Sequence, residues 1–281
     1  MPNNQDQELA EDVLDQEIDE SNGDIALQPG PNADPQASIE RFISAEVRNF
    51  YDVYSYRHAA AILATSYPDE LAEIERSLLK FRITKRDIGM PGGNESDMPK
   101  KYSTILRPAG WVESRIQGDL MVRIHEYTEE ILDNGKTRKH KLPEHEPKII
   151  KNFIDGHKID YVKGSVAFDL EWNSKDQTFD RDLYAMRAFH DCGLISVGVL
   201  VTRSEKLNPV FEVLPQLNKN GEPETINSGN RSGQIKTVKN KYGASTTWMG
   251  KLLYRLNAGR HGSCPILVFG ITPKLISDWV E

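Results

Sequence analysis

With 281 residues the chain can build one large domain or two small ones around a sizeable core, and two cysteines, Cys192 and Cys264, with no CxxC pair, exclude a disulfide framework and give no zinc site. The first residues lack the basic-then-apolar pattern of a leader, and no run of about 18 apolar residues occurs, so no membrane is involved and a cytoplasmic setting is expected. The net charge of −7 is unevenly distributed: residues 1–38 hold ten acids and no Lys or Arg, which leaves +3 on the remaining 243 residues.

That acidic segment, closed by Pro29, Pro31 and Pro35, reads as a disordered extension, because it cannot bury enough apolar surface to fold alone. Residues 39–281 read as the folded body. Its first part, 39–117, is expected to be helical. Ile39, Phe42, Ile43, Val47 and Phe50 recur at helical spacing, and two more helices follow at 59–63 and 71–81. Pro68 separates these two, and Asp69 is a candidate cap for the second. Met90-Pro91-Gly92-Gly93-Asn94 reads as a loop.

The pattern changes over 118–281, the expected catalytic core. Strands are expected at 120–124, 157–162 and 165–172, with a turn at Asp133-Asn134-Gly135. A helix over 182–192 leads into a strand at 194–201 that is apolar on both faces, as a central strand would be. A further helix at 247–256 precedes a buried strand at 266–271. Helices alternating with buried strands predict an α/β class with a mixed central sheet flanked by helices, behind a helical N-terminal half. His190 and Cys192 fall on a core helix and read as packing residues.

Chemistry concentrates in His157-Lys158-Ile159-Asp160-Tyr161-Val162-Lys163-Gly164-Ser165-Val166-Ala167-Phe168-Asp169-Leu170-Glu171-Trp172-Asn173. Two strand-like runs meet at Lys163-Gly164. In the second run Val166, Phe168, Leu170 and Trp172 share one face, and Ala167, Asp169, Glu171 and Asn173 the other. Counting outward from that turn pairs Val162 with Ser165 and Asp160 with Ala167. Asp160 then lies diagonally across from Asp169, on the face of Asp169 and Glu171. Three carboxylates on one patch suit a hard divalent cation such as Mg²⁺. The same alternation also describes an exposed acidic face on an ordinary hairpin.

At this hairpin the chain resembles the PD-(D/E)xK nucleases, and within them the BglII/BstYI group of type II restriction endonucleases, related to BamHI. The resemblance includes Tyr54-Ser55-Tyr56-Arg57-His58-Ala59, Pro91-Gly92-Gly93-Asn94, Gly110-Trp111-Val112-Glu113 and Glu171-Trp172-Asn173-Ser174-Lys175-Asp176 with Arg181-Asp182-Leu183. It continues through Thr246-Thr247-Trp248-Met249-Gly250-Lys251-Leu252 and Gly262-Ser263-Cys264-Pro265-Ile266-Leu267-Val268-Phe269-Gly270-Ile271. It implies a restriction-endonuclease-like core and Mg²⁺-dependent cleavage of double-stranded DNA at a short palindrome, with GATC as the suggested core, by a homodimer. Asp160 resembles the group's first metal-binding acid. Asp169 stands where a second acid, usually Glu, is found. Glu171 takes a position held by Lys in many relatives, by Gln in BglII-like members and by Glu in BamHI, so it would bind metal or accept a proton from water. Glu113 is a further candidate metal ligand, reaching in from a preceding helix.

Lys175 and Arg181 follow the acidic strand and are candidates for DNA phosphates. Arg231, Lys236, Lys239 and Lys241 lie in an acid-free, glycine-bearing stretch, 228–245, that suits gripping of the DNA backbone. Two other functions fit the same residues: a less specific or modification-dependent nuclease, and a DNA-binding protein without activity.

Overall fold

The computed structural model describes residues 29–91, 97–227, 232–243 and 245–279. Most of the acidic segment, the loop residues 92–94 and Arg231 therefore lie outside the described residues. Contacts divide the chain into two units, the smaller spanning Arg115–Lys158 and the larger made of the flanking segments.

The larger unit is ordered before the expected boundary at 38. Asp34 is tied to β1 (Tyr51–Tyr56): its amide donates to Ser55 O at 2.7 Å, and its carboxylate accepts from Ser55 Oγ and the His58 amide. The helical stretch expected over 39–50 is two short helices, α1 (Gln36–Phe42) and α2 (Ala45–Phe50), because Ser44 leaves the helical conformation and caps the second. Then come α3 (Ala59–Ser66), α4 (Pro68–Lys80), α5 (Lys85–Gly89) and α6 (Asp97–Leu106). Pro68 starts α4 at its first position, where a missing N–H costs nothing, and Asp69 sits in the first turn rather than at the cap.

The six-stranded sheet has the order β1-β10-β9-β8-β7-β2 and includes β2 (Val112–Arg115), β7 (Lys158–Lys163), β8 (Val166–Glu171), β9 (Val197–Arg203) and β10 (Ile266–Ile271). Strands β8, β9 and β10 run parallel at its centre, with β7 antiparallel to β8 and β1 antiparallel to β10. The mixed α/β class read from the sequence is the one observed. Every residue of the three central strands is buried. Val166, Phe168, Leu170, Val199, Val201, Leu267 and Phe269 join the core shared with the helical first half. The other face carries α7 (Thr178–Asp191), whose Met186 lies so close to Gly198 that a Cβ there would meet its sulfur at 2.5 Å. Helices α8 (Asn208–Val213) and α9 (Met249–Asn257) complete the unit. Leu194, expected in the central strand, precedes it and is exposed, and Cys192, expected in the core, is exposed at the end of α7.

The smaller unit holds two ribbons, β3 (Gly118–Val122) with β6 (Lys148–Ile154) and β4 (Tyr127–Ile131) with β5 (Thr137–Lys141). The strand expected at 120–124 thus belongs to a two-stranded ribbon and not to the central sheet. Met121, Ile124, Tyr127, Ile131, Ile149 and Phe153 of this unit are all exposed. Among the described residues, no helix is long and apolar enough to cross a membrane.

Phe168 is fully buried against Tyr102, Trp111 and Tyr161 and fastens the acidic strand to the helical layer. Phe168→Ala is expected to lower stability in urea unfolding by about 3–5 kcal/mol. Phe168→Leu, which keeps most of the volume, should cost clearly less.

Candidate active site

The site is built on the β7–β8 hairpin. Its register pairs Lys163 with Val166, Val162 with Ala167 and Tyr161 with Phe168, around a turn at Gly164-Ser165 where Gly164 has φ 53°. The expected turn at Lys163-Gly164 is therefore displaced, and the pairing slides by two residues. A two-residue slip preserves the face of every side chain, since the strand period is two. Continued one step, the observed register sets Asp160 directly across from Asp169 instead of diagonally. The closer spacing strengthens the repulsion between the two acids.

Asp169 and Glu171 are buried, and a fourth acid joins them. Asp182, on α7, is 2 % exposed and lies against Glu171. Burial, with the charges of Asp182, Asp160 and Glu171, pushes the Asp169 carboxyl well above the usual carboxylate range. Burial also raises Glu171, against the lowering influence of a hydrogen bond from Ser174 and the Arg181 charge. Asp182 is driven well up by burial and by Glu171. Burial and mutual repulsion thus favour the protonated forms of Asp169 and Asp182, in a group of carboxyls that cannot readily all ionise side by side.

Three polar atoms in this region are buried without a partner: Asp182 Oδ2, Asn173 Oδ1 and the hydroxyl of Thr202, which is in register with Glu171 on the adjacent strand. Arg181 stands at the rim, 60 % exposed, with Nη2 3.4 Å from Asp182 Oδ1 and 4.0 Å from Glu171 Oε1. Among the described residues, no three His, Cys, Asp or Glu side chains are already grouped as metal ligands. The donor set nonetheless fits a divalent cation. It consists of oxygens alone, carries more potential negative charge than Arg181 can balance, and keeps one buried carboxylate oxygen unpaired.

Other expected site residues are dispersed. Glu113 lies exposed on β2, a strand next to β7, and not on a helix. Lys175 is exposed and bridges to Thr246. Lys236 pairs with Glu224 at 3.6 Å and Lys239 with Glu212 at 2.9 Å. Lys241 is half-buried, donates to the carbonyls of Ile88 and Met90, and is pushed down to about 8 by burial. It acts as a tether in the fold. The stretch expected to be a loose basic loop is partly laddered, with bridges from Ile235 to Thr225 and from Thr237 to Pro215.

Asp182 is the residue that the sequence reading did not assign. Phe179, Asp182, Leu183 and Met186 are buried at helical spacing along α7, so an acid inside an apolar stripe was the available signal.

No curated protein matches the chain. The family model for restriction endonuclease BglII/BglIII matches residues 51–271, a span that contains the whole central sheet and all four acids. The chain therefore belongs to the BglII/BglIII restriction endonuclease family, a family of type II site-specific deoxyribonucleases.

Proposed function

We propose that the protein hydrolyses one phosphodiester in each strand of a short palindrome in double-stranded DNA, with Mg²⁺ as cofactor and a homodimer as the acting unit. The clustering of Asp160, Asp169, Glu171 and Asp182 at the end of a rigid sheet carries this reading. Asp160, Asp169 and Glu171 are the residues that would hold the ion. A magnesium ion bound there supplies positive charge to the phosphodiester and acidifies a bound water.

The chain's own groups do the rest. Glu171 orients the attacking water and takes up its proton. Asp182 donates its hydrogen bond to Glu171 and holds that carboxylate in place. Arg181 turns from the acids toward a DNA phosphate, which its exposure permits. Lys175 is a second phosphate contact. No covalent intermediate is needed. The resemblance to the BglII/BstYI group supports a GATC core, and a cytoplasmic setting follows from a DNA substrate.

The two-fold symmetry of a palindrome supports the homodimer, since two copies related by that axis present one site to each strand. The apolar side chains left exposed on the smaller unit, among them Ile149 and Phe153, give a second copy a surface to cover.

Incubation with unmethylated DNA in Mg²⁺ and in EDTA tests the reaction: discrete, Mg²⁺-dependent fragments support it, and intact DNA under every metal tried overturns it. Asp160→Ala should reduce the cleavage rate by about 10³-fold, the loss of several kcal/mol of charge stabilisation, and leave duplex binding in Ca²⁺ intact. Asp182→Asn should cost about 10–100-fold, as for groups that orient ligands. In sedimentation, Ile149→Glu with Phe153→Glu should shift a wild-type dimer to monomer; a variant that stays dimeric moves the interface elsewhere.

A further inference from the structure

Arg203, the last residue of β9, is 1 % exposed. Its Nε donates to Thr247 O at 3.0 Å, and its Nη2 to the same carbonyl at 2.7 Å and to Thr246 Oγ1 at 2.6 Å. The guanidinium lies over the rings of Tyr242 and Phe211, at 4.9 and 5.4 Å. Among the described residues no carboxylate pairs with it. Arg255, similarly buried, is held by Asp176 at 3.3 Å and Asp180 at 3.0 Å. A buried cation without a counter-charge is costly, and burial alone pulls Arg203 down to about 10.

Arg203 lines an adjoining pocket of about 230 Å³. Asn208 and Trp248 also line that pocket, as do the exposed residues Glu212 and Lys239. The rim pair is mutually neutralised at 2.9 Å, which leaves Arg203 as the unbalanced charge. The pocket also adjoins the acidic site through the sheet. Thr202, one residue before Arg203, is in register with Glu171, and Trp172, one residue after Glu171, donates to Tyr242 Oη at 3.3 Å.

We propose that this pocket seats a phosphate oxyanion on the guanidinium of Arg203. Resting on the nuclease reading, the oxyanion is a backbone phosphate of the bound duplex, away from the bond that is cut. The planar guanidinium, already fixed on one edge by Thr246 and Thr247, offers its remaining edge at little further cost in conformational entropy.

The test is thermal melting of the full chain in inorganic phosphate against chloride at matched ionic strength. Phosphate should raise the wild-type melting temperature, and Arg203→Lys should remove most of the rise. Two exposed rim variants carry the sign independently of how Arg203→Lys folds. Glu212→Gln should tighten phosphate by about fivefold, and Lys239→Gln should weaken it by a similar factor. No rise in the wild type, or equal rises in all four proteins, overturns the seat.

Saturating duplex, in EDTA, distinguishes the source. Loss of the phosphate response assigns the pocket to the DNA backbone, and a response that persists assigns it to free phosphate and overturns the DNA assignment. Cleavage is scored separately: a wild type that cuts DNA without a phosphate response sinks the seat alone. One that binds phosphate through Arg203 but cuts nothing under any metal keeps the seat and sinks the nuclease reading.

Discussion

Four carboxyl groups from β7, β8 and α7 are pressed together, three of them buried, and much of the surrounding architecture answers to that constraint. The apolar side chains of β8 alternate with the acids and are locked into the helical layer by Phe168 and Trp172, so the strand cannot turn its acids outward. The parallel neighbour β9 removes the remaining freedom. With Asp169 and Asp182 both held well above the usual carboxylate range, the fold keeps protons in a cluster built for more positive charge than Arg181 offers. A rigid sheet end that gathers acids without neutralising them suits a reaction in which charge arrives with the cofactor and substrate.

The segment after Glu171 is held as firmly as the strand before it. Thr247 donates its amide to Ser174 O at 2.8 Å, and Asp176 donates to Ser245 O at 3.0 Å. Arg203 grips Thr247 from one side, and Arg255 binds Asp176 and Asp180 from the other. These contacts fix the entry to α7, and through it the position of Asp182. Residues more than 60 positions apart in sequence thus determine where the fourth acid sits, by backbone hydrogen bonds and ion pairs to its neighbours rather than by contact with it.

Charge counting gives a poor map of the DNA-facing surface here. Outside the acidic segment the chain has a modest excess of Lys and Arg, but Arg255 and Lys241 are turned inward and Lys236 and Lys239 face Glu224 and Glu212. Arg181 remains as an exposed cation beside the acids, and Lys175 is exposed on the segment that follows Glu171. A local excess of charge matters more for gripping a phosphate than the sum over the chain.

The sequence alone determined the alternation of β8, and with it the common face of Asp169 and Glu171, because a period of two survives any even shift in register. It also determined the helices and buried strands of the α/β core, since their apolar runs are long and strongly periodic. It missed β1, whose Tyr-rich run follows a helix without a turn signal, and it assigned the ribbons around 115–158 only in part, because their exposed strands carry no alternation to read. Tertiary structure decided the rest. Asp182 enters the site because α7 packs across β8, Glu113 sits on a strand because β2 adds to the sheet edge, and Lys241 becomes a tether because two carbonyls from α5 and its end lie within its reach. Such placements depend on which distant segments pack together, and local spacing does not encode that.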